Sequence, residues 1–169
     1  MIYPIKFNAA VLEKNCTPLV IREVTFKGPL KTGQVLVKLY YSGICGKQIE
    51  EIDGLGGPDP YIPHLLGHEG TGKIIDTGPA VNKVNIGDTV VLHWMKGSGI
   101  NSETPIYEYS NRRINAGWVT TFNENAIVSE NRITKIPANT DMKSGALFGC
   151  AVTTGVGVVM NEISIKPHN

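Results

Sequence analysis

The sequence predicts a mainly β architecture, a barrel or sandwich with a few short helices late in the chain. Short apolar runs alternate with period two, 19 glycines and 10 prolines are spread along 169 residues, and helical stretches are scarce. The predicted strands are Phe7–Leu12, Leu19–Thr25, Gln34–Tyr41, Gly72–Asp76, Thr89–Leu92, Phe122–Val128 and Ile133–Ile136. In Gln34–Tyr41, Val35, Val37, Leu39 and Tyr41 alternate with Leu36, Lys38 and Tyr40, so one face is the more apolar. Gly28-Pro29, Gly78-Pro79 and Gly87-Asp88 mark turns between runs. Three helical segments are expected. Ile44–Ile52 would stop at Gly54. Asp141–Gly149 would start from Thr140 or Asp141 as N-cap, with Leu147 and Phe148 turned inward. Val156–Met160 would start from Thr153 or Thr154. Residues 95–117 show no clean period and read by default as a long solvated loop, with Tyr107, Tyr109, Arg112 and Arg113 as the alternative means of packing it down.

Charge narrows the function classes. Sixteen Lys and Arg face fifteen Asp and Glu, which gives no electrostatic case for nucleic acid or an anionic membrane as partner. The longest apolar runs fall well short of the roughly 18–20 residues that span a bilayer. The opening MIYPIKFNAAVLEKN lacks the pattern of a signal peptide, so a cytoplasmic protein is expected. Three cysteines do not suggest a disulfide framework, and thiols in a reducing compartment stay free for metal or packing. Cys16, in KNCTP, reads as a plain surface thiol.

The other two thiols carry the chemistry. Cys45 sits in GICG, His68 in GHEG and Cys150 in FGCAVTTGVG. Taken singly, each reads as packing or as an ordinary hydrogen-bonded residue. Together, two thiolates and one imidazole form a zinc ligand set with an open fourth position, the arrangement that lets zinc polarise an alcohol or carbonyl. His64 lies four residues before His68, but Pro63 and Gly67 argue against a helix that would put both on one face. No dinucleotide-binding half is visible. Gly155-Val156-Gly157 is the single GxG candidate, with Met160 where a third glycine is needed and no strand–helix–strand unit after it.

From about Ala9 to Met160 the chain resembles the zinc-dependent alcohol dehydrogenase branch of the medium-chain dehydrogenase/reductase family. The likeness rests on AAVLE, GQVLVKLYYSGICG, PHLLGHEGTGKIIDTG, VNKVNIGDTVV, ENRITKIP and CAVTTGVG, six motifs arriving in family order. The resemblance implies a GroES-like zinc and substrate domain over residues 1–160. Residues 161–169 would then begin the connection to a Rossmann domain that binds NAD or NADP beyond Asn169, and without that domain the chain would be inactive. It implies Cys45, His68 and Cys150 as ligands of one catalytic zinc. Glu69 would be the carboxylate beside the histidine, and Thr154 a threonine near the nicotinamide. Trp94 would be a substrate-pocket aromatic. The substrate would be a small alcohol, aldehyde or ketone, and the full-length enzyme a homo-oligomer. His93, at a strand end, either faces the pocket or is an ordinary strand-end histidine.

Two departures stand out. Where the family usually has Ser or Thr to pass the alcohol proton outward, this chain has Lys47, a candidate relay with Glu50 as acceptor or ion-pair partner; otherwise Lys47 points to solvent or contacts cofactor phosphate. Where the family usually has an Asp behind the zinc site, this chain has Gln48. The cysteines that bind a structural zinc in many relatives are missing from residues 95–117, so a single zinc is expected. Two other readings stay open: a zinc-free relative of the quinone-oxidoreductase type, and a non-catalytic GroES-like binding or assembly module.

Overall fold

The computed structural model describes residues 1–163; the end of the expected connection, residues 164–169 with His168, lies outside them. The chain opens with β1 (Ile5–Leu12), which turns Phe7, Ala9 and Val11 inward by simple alternation. It pairs antiparallel with β2 (Val20–Phe26) in a continuous register from Ile5–Phe26 to Val11–Val20. Next come β3 (Gln34–Ser42), α1 (Gly46–Ile52), the two-residue β4 (His64–Leu65), β5 (Gly70–Thr77) and β6 (Thr89–Leu92). A hairpin follows, β7 (Tyr107–Tyr109) and β8 (Arg112–Ile114), and then β9 (Asn125–Ser129). A 3-10 turn (Glu130–Arg132) leads into β10 (Ile133–Lys135). The described residues end with α2 (Met142–Gly145), a 3-10 segment (Ala146–Gly149) and α3 (Ala151–Asn161).

The strands form two five-stranded sheets, ordered β4-β1-β2-β7-β8 and β10-β6-β5-β3-β9, and every ladder between them is antiparallel. The predicted fold class is therefore observed, and the described residues contain no parallel strand–helix–strand unit. Among them no single helix is long and apolar enough to cross a membrane.

The more apolar face of β3 carries Val35, Val37 and the half-buried Leu39, but the other face buries Leu36 as well. Val35, Leu36 and Val37 are all buried, because β3 lies between two apolar clusters. Leu36 joins Phe7, Phe26, Tyr107 and Ile127 on one side, while Val35 and Val37 join Val90, Val128 and Ile133 on the other. A strand covered on both faces reads as a continuous apolar run rather than an alternating one.

Residues 95–117 are not a solvated loop throughout. Ser110 and Asn111 both take positive φ, 47° and 62°, the backbone of a two-residue hairpin turn that matches strand twist. The hairpin delivers Tyr107 into the core, fully buried and edge-on to Phe7 at 5.6 Å, where its Oη accepts the Ile127 N–H. The lobe is thus held by aromatic packing. Arg22 adds a cation over the Tyr109 ring at 5.0 Å.

The helices differ in detail from expectation. Asp141 is the N-cap of α2, accepting from the Lys143 and Ser144 N–H groups. Leu147 and Phe148 are exposed rather than inward, because the tighter 3-10 winding buries Ala146 and Gly149 instead. α3 starts at Cys150, so Thr153 and Thr154 lie inside its first turn.

Candidate metal centre

Three distant segments bring Cys45, His68 and Cys150 together. Cys45 follows β3 and is the N-cap of α1. His68 stands in the short link between β4 and β5, and Cys150 at the break between the 3-10 segment and α3. One ligand atom from each lies within 4.8 Å of the others, and the two sulfurs are 4.0 Å apart. That is far beyond a disulfide bond, and both cysteines are free. It is close to the ~3.8 Å that separates two thiolates on a tetrahedral zinc with bonds of about 2.3 Å. His68 supplies the independent sign: its Nε2 is buried with no hydrogen-bond partner. Such an orphan is costly unless something outside the protein occupies it.

The electrostatics fit a cation. Burial pushes the His68 pKa below the ordinary histidine value, against the pull of Glu69 and Glu51, which favours the neutral ring that a metal requires. Burial and then the neighbouring Cys45 push the Cys150 thiol upward, while a hydrogen bond with Thr154 acts the other way. A cation at this point would reverse that balance and stabilise both thiolates.

The motif glycines have steric reasons. Gly67 has φ +94°, and a Cβ there would meet the Thr121 side chain at 2.3 Å and its backbone N at 2.8 Å. A Cβ on Gly149 would meet the Leu92 carbonyl at 2.2 Å. These two close approaches set the backbone on which His68 and Cys150 are mounted. Gly67→Ala should cost about 2 kcal/mol through the left-handed φ and the clash and should weaken metal uptake more than tenfold by moving His68. Urea unfolding and chelator competition measure the two effects separately.

The alcohol dehydrogenase GroES-like domain family matches residues 31–138, well over half of the chain. The chain belongs to that family. The matched part holds Cys45 and His68 but stops before Cys150, so the third member of this GroES-like domain's cluster is brought in by the fold.

The chain is 29% identical to alcohol dehydrogenase 6 of Peromyscus maniculatus, covering 96% of itself and 49% of that protein. It is 28% identical to an S-(hydroxymethyl)glutathione dehydrogenase of Synechocystis, covering 96% of itself and 50% of that protein. It thus spans about half the length of these curated relatives. An alcohol dehydrogenase zinc-binding domain protein from Burkholderia ambifaria superposes with TM-score 0.84 at 21% identity, over 97% of this chain and 50% of that one. Benzyl alcohol dehydrogenase from Acinetobacter calcoaceticus gives 0.80 at 24%, over 96% and 50%. These solved structures share the fold.

Around the GroES-like domain's trio, the other expected site residues separate. Glu69 is buried beside it, with Oε2 accepting the Ala151 N–H at 3.2 Å and so tying β5 to the start of α3. Thr154 is exposed in the first turn of α3, its N–H donating to the Cys150 carbonyl at 2.9 Å. Lys47 points to solvent, with Nζ 3.5 Å from Glu50. His64 is engaged elsewhere, Nε2 on Asp59 at 2.8 Å and Nδ1 on the Leu65 carbonyl.

Two clefts flank the cluster. One of about 460 Å3 has His68, Gln48, Asp59, Arg113 and Trp118 in its walls. The other, about 510 Å3, is lined by His93, Phe148, Gly149 and Thr153. His93 is committed on both nitrogens, Nδ1 donating to the Met95 carbonyl and Nε2 accepting from Thr134. Trp94 borders neither cleft and is 47% exposed; its carbonyl accepts from Arg132.

Two contributors escaped the sequence reading in these roles. Gln48, 2% exposed, sits on His68 Nδ1 at 2.6 Å. Glu130, 1% exposed, gathers three backbone N–H groups. The signal for Gln48 is its place three residues after an N-cap, where a side chain can fold back on the helix start. Glu130 lies in ENRITKIP among ordinary polar neighbours and has no local signature.

Proposed function

We propose that this domain is the zinc- and substrate-binding half of an NAD(P)-dependent, cytoplasmic alcohol dehydrogenase acting on a small alcohol, aldehyde or ketone. The carrying observation is the meeting of Cys45 Sγ, Cys150 Sγ and a ring nitrogen of His68 within 4.8 Å, with Nδ1 taken by Gln48 and Nε2 buried and unpartnered. These three would hold one zinc. Bound there, zinc supplies Lewis-acid polarisation of the alcohol or carbonyl oxygen.

The protein's own part is orientation. Gln48 fixes the His68 ring, Glu69 fixes the approach of α3, and Thr154 presents a hydroxyl beside Cys150. Thr154 is the proposed contact to the nicotinamide, with Trp94 and His93 on the substrate side. The dinucleotide, which carries the hydride step, would be held by the part of the relatives that this chain does not span. The exposed Val156, Val158, Val159 and Met160 of α3 are consistent with such a neighbour. The chain alone should therefore not reduce NAD or NADP with any alcohol. Homo-oligomerisation of the complete enzyme belongs to the same reading.

Purified chain should contain close to one equivalent of zinc, lost in Cys45→Ser with the fold retained by circular dichroism. A well-folded, metal-free wild type would sink the proposal in favour of the zinc-free relative or the binding module. Lys47 is the proposed outlet for the alcohol proton, accepting it as the neutral amine and passing it to Glu50, 3.5 Å away, or to solvent. In the full-length enzyme, Lys47→Ala should shift the pH profile of turnover; an unchanged profile would remove it from the proton path.

A further inference from the structure

The carboxamide of Gln48 is asked for two things by two neighbours. Its Oε1 accepts the Cys45 N–H at 3.2 Å, closing the first turn of α1, and its Nε2 lies 2.6 Å from His68 Nδ1. The Cys45 N–H is a fixed donor, so the amide oxygen must face it. That leaves the amide NH2 for the ring, and a donor there requires Nδ1 to be the acceptor. The metal-free histidine therefore carries its proton on Nε2, the nitrogen that is buried without a partner.

A metal ion needs the opposite. Coordination uses the Nε2 lone pair, which puts the proton on Nδ1. An Nδ1–H and the Gln48 NH2 would then meet at 2.6 Å, donor against donor. Turning the carboxamide over resolves the clash by giving Oε1 to Nδ1–H. The same turn takes the acceptor away from the Cys45 N–H and leaves an NH2 in its place. One oxygen cannot serve both donors from opposite ends of the amide.

We propose that Gln48 is a positioning residue that couples metal loading to the α1 terminus. Metal-free, it holds His68 as the Nε2–H tautomer and caps Cys45; metal-loaded, it turns over, fixes the Nδ1–H tautomer and frees the Cys45 N–H. This inference rests on the trio being the metal site. It identifies Gln48 as a brake on affinity, because a carboxylate has two oxygens and can accept from both donors at once.

The test uses the whole chain with zinc as probe. Nitrogen-15 NMR should show His68 protonated at Nε2 without zinc and at Nδ1 with it. Hydrogen exchange of the Cys45 amide should speed up at least tenfold on loading in the wild type and stay slow in Gln48→Glu. That variant should also bind zinc about tenfold or more tightly in chelator competition. The tautomer readout shows that zinc sits on Nε2; an added negative charge alone would tighten binding but would leave the wild-type Cys45 amide exchange unmoved on loading, so the amide readout decides for the turn of Gln48. Zinc bound with an equally protected Cys45 amide overturns the inference and leaves the metal reading standing; zinc bound with His68 still protonated at Nε2 removes His68 from the site and overturns both. Failure of the wild type to take up zinc overturns the metal reading, and the inference with it.

Discussion

Glu130→Ala should destabilise the domain by about 3–5 kcal/mol, the largest loss expected from any single substitution outside the apolar core. Glu130 Oε1 accepts from the Asn82 and Lys83 N–H groups at 2.7 and 2.6 Å, and Oε2 from the Ile100 N–H at 2.9 Å. One carboxylate thus clips two loops to the turn between β9 and β10. Alanine strands three donors and opens a hole beside Gly99, whose built Cβ would lie 2.9 Å from the carboxylate. Glu130→Gln should cost less, since its oxygen keeps two donors while its NH2 opposes the third. Urea midpoints rank the three proteins, and equal midpoints would contradict the clip.

The same carboxylate sets an acid limb. Burial pushes its pKa up, but the Ile100, Lys83 and Asn82 N–H groups outweigh this and hold it below the ordinary glutamate value. The unfolded chain therefore binds the proton more readily than the folded one. The stabilisation is complete above the unfolded value of about 4.3 and is lost as pH falls through the lower folded value. Glu130→Gln should lack this contribution, so its stability should decline less steeply than that of the wild type in the acid range.

Much of the fold was legible because its strands announce themselves by alternation and turn residues. Thr89–Leu92 is found where it was expected, and β1, β2 and β5 differ by one or two residues at their ends. What was missed was set by tertiary contacts. Tyr107 and Tyr109 alternate with Glu108 over only three residues, too short a run to reveal a period. The local clue was Ser110-Asn111, a pair able to adopt the left-handed turn. The double-sided burial of β3 depends on what packs against it, which a single strand does not encode. The trio was visible through its glycine settings, and Gly67 and Gly149 show why: the backbone at His68 and Cys150 leaves no space for a side chain on its neighbour. Gln48 stood out only as a departure behind the expected zinc site; its bond to His68, twenty positions away, was not visible.

Zinc itself should act as a structural clamp as well as a chemical one. The three candidate ligands stand at the end of β3, in the link before β5 and at the start of α3; β3 and β5 already share a ladder, while Glu69 ties α3 to them. An ion that binds only the folded arrangement adds about 2.7 kcal/mol at a hundredfold excess over its dissociation constant, which for a domain of this size raises the melting temperature by about 5–10 °C. Cys150→Ser and Cys45→Ser should abolish most of that rise. The gain should also shrink as pH falls. Burial and Cys45 keep the Cys150 thiol protonated in the free protein, so loading must expel protons, and a higher proton concentration opposes it. Melting curves with and without zinc between pH 6 and 8 measure both effects. A rise that survives loss of either cysteine, or that grows toward acid, would place the ion elsewhere. A rise confined to the intact trio would mean that the ion also completes the junction from which α3 departs.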